Sequence, residues 1–190
     1  MRAGESGFPV LFSKMKLLVR LALWACSLVV LSACGTVSDL VTSHIPSRHS
    51  GPPSVVVKLH EQRAYLYRGR EIAAASRISS GREGYRTPVG RFRVQSKDED
   101  HRSSLYGDYV SKSGEVVKAN VDVRKHRRPP GTQFLGAPMP FFVQFLPAYG
   151  LHAGYLPGAP ASHGCIRMPY WKARQFYQAV RLGTPVVVRP

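Results

Sequence analysis

Downstream of residue 53 the chain alternates between apolar and polar side chains, and a period of two predicts strands. Residues 54–60 (SVVVKLH) are β-branched, and residues 63–68 (RAYLYR) alternate and close at Gly69, so the pair predicts a hairpin. Residues 71–78 predict a third strand. The turn-rich stretch 79–90 predicts a loop, and 91–95 a short strand after it. Residues 97–136 are polar and charged and show little apolar periodicity. Such a stretch inside a domain predicts a lid-like insertion, with short strands near Val116-Val117 and Val121–Val123. Residues 140–146 form a dense apolar strand, followed by a turn at 147–150. Tyr170, Trp171, Phe176, Tyr177 and Val180 recur at helical spacing behind Pro169, and Gly183 and Pro185 stop the helix. That aromatic face is assigned to the core, and Val186–Val188 closes the chain as a strand. The expected fold is mostly β, with one helix in the C-terminal half and a long lid-like insertion.

The N-terminal pattern differs. Lys14, Lys16 and Arg20 precede the apolar run 21–31, which with the small residues after it reads as a secretory signal, too short to span a membrane comfortably. Either Met1 or Met15 serves as its start. The run ends Leu31-Ser32-Ala33-Cys34-Gly35, which resembles the bacterial lipoprotein lipobox; that resemblance implies cleavage before Cys34 and lipidation of its thiol. The expected organisation is a signal peptide over 1–33, a flexible Ser-, Pro- and Gly-containing tether over 34–53, and a domain over 54–190. Acyl chains on Cys34 would hold the protein to a membrane on the periplasmic side of the bacterial envelope. Gly35 stands where an Asp would favour the inner membrane, so the outer membrane is the expected address.

Three cysteines are present. Cys26 leaves with the signal and Cys34 carries lipid, so Cys165 remains alone and no disulfide framework is expected. The formal charge is +16 for the whole chain, and +13 once Arg2, Lys14, Lys16, Arg20 and Glu5 leave with residues 1–33. The basic residues are scattered and export removes nucleic acid as a partner. Envelope polyanions are the expected partners instead: lipid headgroups, lipopolysaccharide and carboxylate-bearing peptidoglycan stems.

Cys165 sits in Ser162-His163-Gly164-Cys165. Thiol catalysis needs a thiolate, a base within reach and donors for an oxyanion. A free thiol titrates near 8.5, so a nearby His or backbone amides must lower it. Two bases are available: His163, two residues before, and His152, brought from another element. The amides of Gly164 and Cys165 are natural oxyanion donors, and Gly164 lets a carbonyl approach the backbone closely. Zinc ligation by His152, His163 and Cys165 is disfavoured because His-Gly-Cys places ligands too tightly. An inert buried thiol is the bland alternative.

Ser162-His163-Gly164-Cys165-Ile166-Arg167-Met168, with His152 upstream, resembles the signature of the L,D-transpeptidase catalytic domain (YkuD type). The likeness covers most of residues 54–189, and residues 85–94 (YRTPVGRFRV) are similar to the family's early Thr-Pro-x-Gly strand. Two departures stand out: the interval from His152 to Ser162 is shorter than in many members, and Arg167 occupies a position where others carry Asn. The resemblance implies a β-sandwich-like fold and chemistry on peptidoglycan stem peptides. Cys165 would attack the diaminopimelate carbonyl of a tetrapeptide stem and expel D-Ala. The thioester would then pass to an amine, giving a 3–3 cross-link, lipoprotein attachment or exchange with a D-amino acid. The resemblance makes His152 the general base, oriented by the Ala153 carbonyl. His163 would support the loop, Ser162 would tie its turn, Arg167 would pair with a stem carboxylate, and Tyr149 and Tyr155 would line the substrate wall. No cofactor or metal is implied. Two other readings stay open: an L,D-carboxypeptidase or hydrolase with water as acceptor, and a non-catalytic anchor that binds peptidoglycan.

Overall fold

The alternating stretches fold as strands, and the apolar half of each turns inward. The computed structural model describes residues 50–190, so the signal, Cys34 and most of the tether lie outside the described residues. Strand β1 (Pro53–Lys58) buries Val55 and Val57, and it pairs antiparallel with β2 (Arg63–Arg68), which buries Ala64 and Leu66. β3 (Glu71–Arg77) continues the meander. The next two members come from distant sequence. β12 (Pro185–Arg189) lies parallel to β1, with Val55 beside Val186, and β4 (Gly90–Arg93) lies antiparallel to β12. The first sheet therefore runs β3-β2-β1-β12-β4.

A second sheet runs β11-β10-β9-β5, built from Ile166–Met168, Tyr149–Ala153, Phe142–Leu146 and Ser96–Asp98. β10 is a strand where the composition 147–150 predicted a turn. The reversal is confined to Pro147 and Ala148, with Ala148 at φ 64, and a bulge at Tyr149/Gly150 restores the register. The two sheets and the helix α1 (Tyr170–Ala179) share one core: Val55, Val57, Val186 and Val188 with Val143, Phe145, Leu151, Ile166 and Met168, and Ala173, Phe176 and Val180 from the helical segment. Each large apolar side chain fully buried there stabilises the fold by about 1.5–3 kcal/mol.

The helical stripe differs from the expected one. Ala173, Phe176 and Val180 form the i, i+3, i+7 face, whereas Tyr170 and Trp171 are 62% and 63% exposed. Trp171 lies about 200° around the axis from Ala173 and meets the Lys172 ammonium 4.3 Å above its ring.

The region 97–136 is more fully stranded than the expected lid-like insertion with short strands. Residues 96–98 belong to the second sheet as β5. A three-stranded antiparallel sheet follows: β6 (Arg102–Val110) in the middle, β7 (Val116–Asp122) on one side and β8 (Gln133–Pro138) on the other. The two short strands expected near residues 116 and 121 are one continuous strand. Of its valines, Val116 and Val117 are exposed and Val121 is buried. Ladder hydrogen bonds hold this sheet with few apolar inward positions, so periodicity does not reveal it.

Candidate active site

The open face of the second sheet is a cavity floor. Its even-numbered β10 positions, Gly150 and His152, face outward while Leu151 and Ala153 are buried in the core. Parallel pairing sets His152 beside Arg167, and Leu151 beside Ile166. Cys165 directly precedes β11, two residues before Arg167, and so shares its face. The lateral and axial strand spacings put the Cys165 and His152 Cα atoms ~8 Å apart. Cys165, His152 and Arg167 line one cavity of about 810 Å³.

The loop carrying Cys165 is fixed by hydrogen bonds at each of its residues. Ser162, fully buried, donates through Oγ to the Cys165 carbonyl at 2.5 Å and accepts the Gly164 N–H at 2.9 Å. Gly164 has φ 118, and a Cβ there would stand 2.6 Å from Tyr149 Cε1, so conformation and space both require glycine. Thr87, buried just ahead of Pro88, accepts the Gly81 N–H at 3.0 Å and donates to the Gly164 carbonyl at 2.7 Å. His163 is gripped from three sides. Arg82 donates to its Nε2 at 2.8 Å, Tyr106 stacks on its ring at 4.0 Å, and Tyr85 meets it edge-on at 4.8 Å. Tyr106 belongs to β6, and its hydroxyl accepts from Arg124, which is paired with Asp122 at 2.8 Å. The three-stranded sheet thus reaches the Cys165 loop through one aromatic stack.

Two expected roles change. The Gly164 N–H is already engaged by Ser162 Oγ, so of the amide pair expected to receive an oxyanion only that of Cys165 is left for the task. Tyr149 does not line the cavity: it packs against the core and covers Gly164. Tyr155 does line the cavity, 79% exposed at its rim.

The titrations are set mainly by burial. His152 Nδ1 lies 2.8 Å from the Ala153 carbonyl. A carbonyl only accepts, so the ring hydrogen is on Nδ1 and Nε2 carries the lone pair. Burial, with smaller contributions from Arg167 and His101, brings the His152 pKa down to about 4, so the ring is neutral at pH 7. Burial also pushes the Cys165 thiol up, and a hydrogen bond from the Gly150 N–H and the charge of Arg167 offset this only in part. This reverses the expectation of a thiol lowered in the resting protein. The S–H itself is directed at the Ala148 carbonyl, 3.6 Å away. At pH 7 the two groups are a neutral thiol and a neutral imidazole. Arg167 is half-buried and, among the described residues, has no carboxylate partner. Its aliphatic stem covers Gly154, where a Cβ would stand 3.1 Å from Arg167 Cγ. Among the described residues no three His, Cys, Asp or Glu side chains group closely enough to hold a metal ion.

Sequence reasoning missed Thr87, Arg82, Tyr85 and Tyr106. Thr87 and Tyr85 lay within the quoted Thr-Pro-x-Gly element, whereas nothing local to Tyr106 marks it.

The fold has solved counterparts. One is an L,D-transpeptidase from Mycobacterium smegmatis, 18% identical, TM-score 0.55, with 73% of this chain and 59% of that chain covered. Another is an L,D-transpeptidase from Stackebrandtia nassauensis, 19% identical, TM-score 0.53, covering 73% and 56%. A third, from Xylanimonas cellulosilytica, is 24% identical, TM-score 0.53, covering 81% and 69%. The chain spans less than two thirds of the first two. Comparison with curated protein sequences gives no match. The profile of the L,D-transpeptidase catalytic domain (YkuD) matches residues 52–188, most of the chain, and the protein therefore belongs to that family.

Proposed function

We propose that the protein is a cysteine-dependent L,D-transpeptidase acting on peptidoglycan tetrapeptide stems. The observation that carries this reading is the placement of Cys165, directly ahead of β11, and His152, on the adjacent β10, at one cavity floor, with Nδ1–H of His152 tied to Ala153 so that Nε2 is the basic nitrogen.

In the acylation step the thiol proton moves to His152 Nε2 as sulfur attacks the diaminopimelate carbonyl. The C–S bond forms, and the oxyanion is met by the Cys165 N–H. Collapse breaks the C–N bond to D-Ala, whose amine takes the proton from His152. An acceptor amine then attacks the thioester, His152 takes its proton, and the C–S bond breaks to regenerate the thiol. Neutral partners suit this cycle, because a base with a pKa of about 4 returns the proton readily. Arg167, half-buried at the cavity edge and without a carboxylate partner among the described residues, suits a stem carboxylate.

The proposed acceptor is the amine of a second stem or of an envelope lipoprotein. The proposed address is the periplasmic side of the bacterial envelope, with lipid on Cys34. Incubating the purified protein with disaccharide tetrapeptides, followed by mass spectrometry, tests the reading. Products that have lost D-Ala support it, with 3–3 cross-linked dimers marking an amine acceptor and free tripeptides marking water. Unchanged tetrapeptide, or equal turnover by Cys165→Ser, refutes it.

A further inference from the structure

The sheet row that holds His152 continues past it. Leu151 pairs with Val143, so the next position sets His152 beside Phe142, and Phe142 pairs with Asp98. The ring centroids of Phe142 and His152 are 6.4 Å apart. Arg167, His152, Phe142 and Asp98 therefore form one lateral row across all four strands, and each lines the cavity. Strand spacing puts the cationic and anionic ends of this row ~14 Å apart.

The Asp98 end is built, not incidental. His101 lies flat on Phe142, with centroids 4.3 Å apart and planes 12° apart, and its Nδ1 is 3.0 Å from Asp98 Oδ2. A carboxylate only accepts, so Nδ1 carries the hydrogen of this contact. Asp98 Oδ1 accepts the Asp100 N–H at 3.2 Å. The chain carries 27 Lys and Arg against 11 Asp and Glu, yet among the described residues Asp98 pairs with no Lys or Arg. Its neighbour Lys97 is turned away: Nζ donates to the Val180 carbonyl at 2.8 Å and lies 4.2 Å over the Tyr177 ring.

We propose that Asp98 and His101 form an acceptor subsite that binds a primary ammonium group carried on a flexible chain. The inference rests on the reading of Cys165 as the acyl carrier. The donor carboxylate occupies the Arg167 edge; the acceptor ammonium docks at the β5 edge, gives up one proton to water, and its flexible chain then carries the free amine to the thioester near His152. The stacked His101–Phe142 faces give the acceptor's alkyl chain an apolar wall, and the carboxylate selects charge.

The first test needs no turnover. In Cys165→Ser protein, imidazole NMR signals of His101 are followed while N-acetyl-lysine amide or N-acetyl-norleucine amide is added. A saturable shift with the lysine compound, absent with norleucine and lost in Asp98→Asn, supports the subsite. Equal responses to both compounds, no response, or persistence in Asp98→Asn overturns it. The second test uses active protein. Asp98→Asn is expected to lower kcat/KM for the amine acceptor about tenfold, the loss of one charge-assisted hydrogen bond. Acylation of Cys165 by a carbapenem is expected to fall much less. Equal losses in both steps assign Asp98 to the fold and overturn the proposal. Failure of the unsubstituted protein to acylate refutes the transpeptidase reading instead, and the titration still decides the subsite.

Discussion

Replacing Thr87 by Val retains the shape of the side chain and removes one oxygen. That oxygen serves two buried backbone groups, the Gly81 N–H at 3.0 Å and the Gly164 carbonyl at 2.7 Å, from a residue only 3% exposed. A buried polar group left without a partner costs about 1–3 kcal/mol, so two cost about 2–6 kcal/mol. A methyl in place of a hydroxyl recovers about 1 kcal/mol of apolar burial. Relaxation is blocked on the Gly81 side, where any Cβ would collide with the Tyr85 carbonyl. The expected net loss is about 3 kcal/mol, or about 10 °C in Tm for a domain of this size. Urea unfolding of Thr87→Val and Thr87→Ser measures it, and Ser, which keeps the hydroxyl, is expected to lose less than half as much. Because Gly164 adjoins Cys165, alkylation of Cys165 by iodoacetamide in the folded protein should also change in Thr87→Val. A Thr87→Val protein within about 0.5 kcal/mol of the original, the range of an inert surface change, would refute the assignment of Thr87 as the tie between the two loops.

Four further outcomes are expected. Cys165→Ala leaves urea stability nearly unchanged and abolishes release of D-Ala from a tetrapeptide stem, as followed by chromatography. His152 takes its proton near pH 4 when folded and near 6.5 when unfolded, so the unfolded chain binds more protons between those values. Stability is therefore full above about pH 6.5 and declines by about 3 kcal/mol on acidification to pH 4, and urea midpoints of His152→Gln should lose that slope. Gly164→Ala forces a φ of 118 on a side chain that meets Tyr149, so it should destabilise by about 2 kcal/mol or more, with Tyr149→Ala restoring only part. Tyr106→Ala removes the stack on His163, and should speed proteolysis of the loop around Ser162 without a comparable loss of global stability.

The core strands were legible because they are two-sided. Val55 and Val57 alternate with Ser54 and Val56, and the period follows directly from burial on one face. The three-stranded sheet was not, because Val116 and Val117 face solvent and the backbone ladder supplies most of the order. Trp171 misled for a related reason: helical spacing fixes which residues share a stripe, but the apolar stripe was drawn too wide, and Ala173 rather than the indole faces the core. The Cys165 loop stood out as a candidate site from residue types alone. The titration state could not, since the direction of the thiol shift depends on how deeply β10 and β11 bury it. Tyr106 and Asp98 reach the cavity from strands remote in sequence, and only the pairing of β5 with β9 and the course of β6 reveal them.

The position of β12 has a temporal consequence. Residues 185–189 form the fourth strand of a five-strand order, seated between β1 and β4, so the opening hairpins have no complete sheet to join until the tail arrives. A ribosome must release residues 185–189 before the first sheet can close.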